Sequence, residues 1–309
     1  MSKTIEDMSK TIEDIIYEHL KALYADVDTC PLAVYGGVPA IFNTKAPDDT
    51  DELWETENQY PRIVFELSMQ ADPERKVSGR LFIDVMCLNT LNDTQPESLE
   101  TAVKGSFDGC FFSNEELTIS AQWVSSEPFS EKDNELSGIT LAFDVMAYPV
   151  QITESPDPVA CVNEWLKTLY QNSHVIGKDV LPQTWKPTNE TPALYCRVTH
   201  LGESPMMKNS AAVTWIGADM KVYVMAPDEQ VRSTISKQII QLLPKATTLI
   251  LDDGSPLLIQ RVQGNLGADM LKEGQIQIKA TYGVLNEYIG TPIKQISING
   301  MNAESEVIA

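Results

Sequence analysis

Three histidines, five cysteines and a handful of clustered acids are the side chains here that could do chemistry, and their spacing decides which chemistry is open. His19, His174 and His200 lie far apart, and Cys30, Cys87, Cys110, Cys161 and Cys196 are never spaced as C-x-x-C. Zinc-ligand spacing is therefore absent, and the cysteines read as reduced thiols, with Cys87 and Cys196 inside apolar strand patterns. Asp48, Asp49, Asp51 and Glu52 suggest a cation loop, but the glycine at the sixth position and the glutamate at the twelfth are missing. They read as a solvated acidic loop. Asp252-Asp253-Gly254 is a turn signal, and GNLGAD (264–269) lacks G-x-G-x-x-G spacing. No G-x-x-x-x-G-K-[ST], G-x-S-x-G or H-E-x-x-H is present. His200 has no nucleophile of recognisable signature beside it. The expectation is a protein that is not an enzyme and that uses no cofactor and no metal.

The elements that could position any site come next. With 309 residues the chain is long enough for about two domains. Hydrophobic residues make up 43%, too many for a disordered chain. Against 23 Lys+Arg stand 44 Asp+Glu, a net charge of −21. That surplus argues against affinity for phosphate backbones or anionic lipid, because both need Lys and Arg. It suits a surface past which DNA must slide without adhering. Residues 1–14 are polar and charged, unlike a signal peptide, and no stretch approaches the roughly 20 apolar residues of a membrane span. A cytosolic protein is expected.

Internal duplication is the strongest signal. EHLKALY (18–24) recurs as EWLKTLY (164–170), so His19 corresponds to Trp165 and reads as a packed, half-buried position. PRIVFEL (61–67) recurs as PALYCRV (192–198), with Ile63, Phe65 and Leu67 on Leu194, Cys196 and Val198. Leu81, Ile83 and Val85 fall on Met220, Val222 and Val224, and period-two alternation in both copies is the mark of matching half-buried strands. Leu99, Val103 and Phe107 then share a helical face, as do Val231, Ile235 and Ile239. Leu117 and Ile119 are matched with Leu257 and Ile259, and Ile139, Leu141, Phe143 and Val145 with Ile276, Ile278, Ala280 and Tyr282. The offset drifts only between elements, where loops absorb length changes.

Each unit reads helix, hairpin or loop, strand, strand, helix, strand, strand, which makes an α+β fold of two tandem copies of a helix-on-antiparallel-sheet domain. The expected boundaries are an N-terminal extension at 1–11, a first domain at 12–150, a linker at 151–157, a second domain at 158–286 and a tail at 287–309. The doubled SKTIED (2–7, 9–14) carries no function in this reading. PIKQISI (292–298) is strand-like, either loose or able to add a strand to a neighbour.

Apolar groups in loops are the remaining clue. Met206 and Met207 lie among polar neighbours in GESPMMKNS (202–210), and Met adapts well to binding surfaces. Trp54 stands in the acidic loop APDDTDELWETENQY (46–60), which the second copy shortens. Asp48, Asp49, Asp51, Glu52, Trp54, Met206 and Met207 are thus the candidate interface residues. The first copy carries charged QADPERKVSG (70–79) where the second carries the methionines, so the tips are suited to different neighbours.

Laid out this way, the repeat unit resembles the tail terminator, or tail completion (head–tail joining), family of long-tailed bacteriophages. The resemblance is carried by the order of EHLKALY (18–24), YPRIVFEL (60–67), GRLFIDVMCL (79–88), PESLETAVKGSF (96–107) and GITLAFDVMAYP (138–149). It covers most of both halves without a catalytic signature, and it departs from the family in carrying two units where members usually carry one. It implies a virion protein of the tail or neck, assembled in the host cytoplasm. Such a protein forms a ring that stops tube growth and joins tail to head. Its implied partners are copies of itself, the tail tube protein, the head–tail connector or stopper, and the end of the tape measure. DNA would pass through without specific binding, and no membrane is involved. Loop divergence between the copies favours a ring of six chains over three. Competing readings are another tube or connector protein of the particle, a non-viral two-domain binding module, and an enzyme with a site between its domains.

Overall fold

The computed structural model describes residues 5–25, 30–55, 59–72, 76–89, 96–131, 135–151, 155–246, 248–286, 296–298 and 301–303. The first half opens with helix α1 (Ile5–Leu23) and short strands β1 (Val34–Tyr35), β2 (Val38–Pro39) and β3 (Ile41–Asn43). It continues with β4 (Arg62–Asp72), β5 (Lys76–Leu88), α2 (Pro96–Phe107), β6 (Cys110–Ser113), β7 (Leu117–Glu131) and β8 (Leu136–Pro149). The second half runs α3 (Pro158–Leu169), β9 (His174–Ile176), β10 (Thr184–Trp185), β11 (Ala193–Glu203), β12 (Val213–Met225) and α4 (Glu229–Leu242). After a 3-10 turn (Leu243–Ala246) come β13 (Thr248–Ile250), β14 (Pro256–Gly264) and β15 (Ile276–Leu285), with a short pair β16 (Ile296–Ile298) and β17 (Met301–Ala303) near the end. The class is α+β.

α1 forms because Met8, Ile12, Ile16 and Leu20 recur every four residues and all are buried on the first sheet. It begins well ahead of residue 12, so most of the segment expected as an extension continues the helix. The doubled SKTIED explains this: its offset of seven is close to two helical turns, which keeps the same face toward the core. α3 starts where Asp157 accepts hydrogen bonds from the amides of Val159 (2.8 Å) and Ala160 (3.0 Å), with Pro158 in the first turn. Asp228 caps α4 through the Gln230 amide at 2.7 Å.

The first sheet runs β10-β6-β7-β8-β5-β4-β3 and the second β13-β14-β15-β12-β11-β9. Set aside β10, which the second half lends to the first sheet, and the two have the same strand order. In both, the short edge strand is parallel to its neighbour and every other pairing is antiparallel. Ile63 pairs with Val85 as Leu194 pairs with Val224, and Phe65 with Ile83 as Cys196 with Val222. The later strands are displaced from the sequence match. Ile83 pairs with Leu141 whereas Val222 pairs with Ile276, so Ile276 takes the place of Leu141 rather than Ile139. Leu257 likewise takes the place of Ile119 rather than Leu117. Alternation repeats every two residues, so a two-residue slip keeps the same face inward and is invisible to pattern matching.

Each half buries its own core between helices and sheet: Ile12, Ile63, Ile83, Phe107 and Phe143 in one, Val162, Val222, Ile239, Leu257 and Ile278 in the other. A third cluster fills the seam between the sheets with Phe111, Met146 and Tyr148 from the first and Ile176, Tyr195, Tyr223 and Met225 from the second. Of the expected linker, Gln151 accepts from the Val198 amide (2.6 Å) and donates to its carbonyl (3.2 Å), bonds a neighbouring strand would make. Residues 152–154 lie outside the described residues, as do most of PIKQISI and of the tail. Among the described residues no helix is long and apolar enough to cross a membrane.

Candidate assembly surfaces

The acidic loop sits where β4 begins. Asp49 forms an ion pair with Arg62 at 2.6 Å, and the guanidinium lies over the Tyr60 ring at 4.3 Å. Asp51 accepts from the Leu53 amide at 3.0 Å, a local turn that spends its carboxylate on backbone rather than on a cation. Among the described residues no group of three His, Cys, Asp or Glu side chains could hold a metal ion. Trp54 is not the exposed group the loop's composition suggests. It is half-buried, with ring centroids 5.0 Å from Tyr35 and 5.7 Å from Phe42, and its indole donates to the Asp48 carbonyl at 3.1 Å. The exposed apolar group here is its neighbour Leu53, at 54%.

The methionine tip follows the last residue of β11. Met206 is 71% exposed and Met207 half-buried. The loop is pinned beneath them: Asn209 accepts from the Trp215 amide at 2.7 Å, and Asn286 donates to the carbonyls of Ser210 (3.1 Å) and Ala211 (3.2 Å). Acidic loop and methionine tip therefore attach to opposite ends of corresponding strands in different sheets, and among the described residues no hydrogen bond or ring contact joins them. Two surface grooves complete the picture. One, of about 320 Å³, lies between α1 and β3 beside Tyr17, Tyr35 and Phe42. The other, of about 490 Å³, lies between the ends of α3 and α4 beside Tyr170, Asn172 and Asn189.

Several of the histidines and cysteines are packed into the cores. His19 lies between Phe107 (4.8 Å) and Phe112 (4.5 Å), where burial pushes its imidazole down to about 4, with the Ser106 backbone opposing. All five cysteines are free. Burial pushes Cys87 and Cys161 up to about 11 and Cys196 higher still, which leaves these as thiols near neutrality. His19 has a measurable consequence. Its folded value lies below its unfolded one, so its contribution is intact above pH 6.5 and lost as the pH falls toward 4, when the unfolded chain takes up the proton first. His19→Phe is expected to flatten that acid limb by on the order of 2 kcal/mol, a figure discounted for a half-buried ring. Urea melts at pH 7, 5.5 and 4.5 check this; equal slopes in both proteins would refute it.

Sequence reasoning missed the seam, whose aromatic residues read as solvent-facing alternates within otherwise matched strands. Phe111 stacks on Trp185 at 4.8 Å, and Tyr148 meets Tyr195 at 5.3 Å and Tyr223 at 6.1 Å. The Tyr148 hydroxyl donates to the Leu271 carbonyl (3.1 Å) and the Tyr195 hydroxyl to the Pro149 carbonyl (2.9 Å). Lys186 reaches carbonyls at the C-terminal end of α2, Gly105 at 3.1 Å and, just past the helix, Asp108 at 2.7 Å, where a cation complements the helix dipole. The signal available was a single large aromatic at an outward position of each of three strands, Tyr148, Tyr195 and Tyr223, where the matching strands have Gly283, Val64 and Asp84. No protein-family model matches the sequence, and no curated protein matches it.

Proposed function

We propose that the chain is a tandem duplication of a tail-terminator-like unit, and that it serves as a structural protein of a bacteriophage particle. In this reading it forms a ring at the head-proximal end of the tail, stops tube growth and offers the surface on which the head docks. The observation that carries the duplication is the shared strand order with shared register, down to the parallel edge strand in each sheet. Matched topology in both halves supports the duplication beyond matched alternation alone. The resemblance in element order supplies the tail role, and the tube protein and the head–tail connector or stopper are the partners it implies.

The charge fits such a place. A net −21 per chain, multiplied around a ring, repels DNA at distances up to a screening length of about 8–10 Å. DNA then passes without a binding site. The test is electron microscopy of particles assembled with and without this gene. Headless, overlong tails in its absence are expected, and joined particles with tails of normal length would remove the role.

A further inference from the structure

We infer that successive copies of this chain dock head to tail by a second use of the contact that joins its own two sheets, with Leu53–Trp54 of one copy lying along the free edge strand β13 of the next. The inference rests on the duplication proposed above and not on a position in a tail.

The seam joins surfaces that do not correspond. By strand register, Tyr195, Tyr223 and Met225 of the second sheet occupy the places of Val64, Asp84 and Met86 in the first. Phe111, Met146 and Tyr148 of the first occupy those of Thr248, Thr281 and Gly283 in the second. The β6–β8 side of one sheet thus meets the β9–β12 side of the other. Such a heterologous contact leaves one side of each kind unused, on opposite halves, and repeats until a ring closes.

The loops carry the matching parts. The connection from β9 to β11 delivers β10, which pairs antiparallel with β6 and sets Trp185 opposite Phe111. Trp54 lies in the corresponding connection from β3 to β4. It precedes Trp185 by 131 residues, the offset that also relates Ile63 to Leu194. Each tryptophan leans on the edge strand of its own half, Trp185 on His174 at 4.9 Å and Trp54 on Phe42 at 5.7 Å. The backbone agrees as well. The Leu53 carbonyl and the Glu55 amide are taken by the Gly36 amide (2.9 Å) and the Val34 carbonyl (3.1 Å). Alternation along an antiparallel pair then turns the Trp54 carbonyl to the opposite side, while its amide is taken by the Asp51 carbonyl at 3.4 Å.

The receiving edge is open to it. β13 ends the second sheet with no strand on its outer side among the described strands, and its Ile250 is 65% exposed, although the Ile250 carbonyl accepts from Cys161 Sγ at 3.2 Å. Copying the internal register places Trp54 opposite Thr248 and Leu53 opposite Leu249. Glu55, in the place of Lys186, then approaches the end of α4 where Lys245 is exposed. Thr248 and Gly283 stand where the internal seam has Phe111 and Tyr148, so the contact between chains buries less and is the weaker of the two. A ring built this way counts halves, so it holds twice as many positions as chains, and a six-position ring would take three chains instead of the six that loop divergence favours.

The test uses the full chain in sedimentation velocity and native mass spectrometry across a concentration series, with Leu53→Asp and Ile250→Asp. Both side chains are exposed, and circular dichroism verifies that each variant is folded. The parent is expected to form closed oligomers, and each variant to lose association by at least about 30-fold. An equimolar mixture of the two should recover dimers and stop there, because only one intact contact can form between them. A parent that stays monomeric, variants that assemble like the parent, or a mixture that yields full rings or no dimers would each overturn the inference. Tails of normal length in particles lacking the gene would instead remove the tail role and leave this contact standing.

Discussion

Replacing Tyr148 by alanine is expected to cost about 4 kcal/mol and to split unfolding of the chain into two steps. Tyr148 is fully buried at the meeting point of the sheets, within ring contact of Phe111 (5.9 Å), Tyr195 and Tyr223, and its hydroxyl holds the Leu271 carbonyl. Truncation removes the ring, leaves a cavity walled by other aromatics that are themselves anchored, and orphans a buried carbonyl. Each half keeps its own helix-on-sheet core, so once the seam is loosened the halves no longer need to unfold together. Tyr148→Phe separates the contributions: it keeps the packing, should cost about 1 kcal/mol, and should preserve a single step. Urea denaturation followed by far-ultraviolet circular dichroism and by tryptophan fluorescence makes the measurement. A single coincident transition for Tyr148→Ala, shifted by less than about 1 kcal/mol, would show that the seam does not couple the halves.

The parts of this fold that were legible in the sequence are those where one face of an element is buried and the other is wet. Leu81, Ile83 and Val85, or Leu99, Val103 and Phe107, announce themselves because burial imposes a period. The short edge strands Ile41–Asn43 and His174–Ile176 did not, since three residues are too few to show one. Register at β8 and β15 was misplaced by two residues for the opposite reason, because the pattern is regular enough to match itself after a slip. Leu117 and Ile119 face the same core, as do Ile139 and Leu141, and nothing local says which of each pair Leu257 or Ile276 matches in the other half. The acidic loop was placed correctly as a surface feature, but composition could not foresee that Tyr35 and Phe42 fold under Trp54, because those rings come from β1 and β3. The seam was hidden most completely. Tyr195 and Tyr223 alternate with core residues as solvent-facing positions do, and only the approach of a second sheet makes them interior.

Phe107→Ala carries the other large effect, and it reaches beyond packing. Phe107 ends α2 fully buried, with ring centroids 5.3 Å from Phe112 and 5.5 Å from Phe143 and the His19 imidazole on its edge. Losing it should cost about 4 kcal/mol, above the roughly 3 kcal/mol of Ile239→Ala at the corresponding position of α4, because the aromatic neighbours collapse less readily than aliphatic ones. The same cavity removes half of the wall that desolvates His19. Its imidazole should then rise from about 4 back toward the ordinary histidine value, so the variant loses less stability than the parent between pH 6.5 and 4. The two effects separate by measurement: urea melts at pH 7 read the packing, and a proton NMR titration of the His19 ring reads its solvation. A destabilised variant whose His19 still titrates near 4 would mean that Phe112 alone keeps water from the ring. Unchanged stability at pH 7 would mean that the first sheet does not depend on the end of α2 for its core.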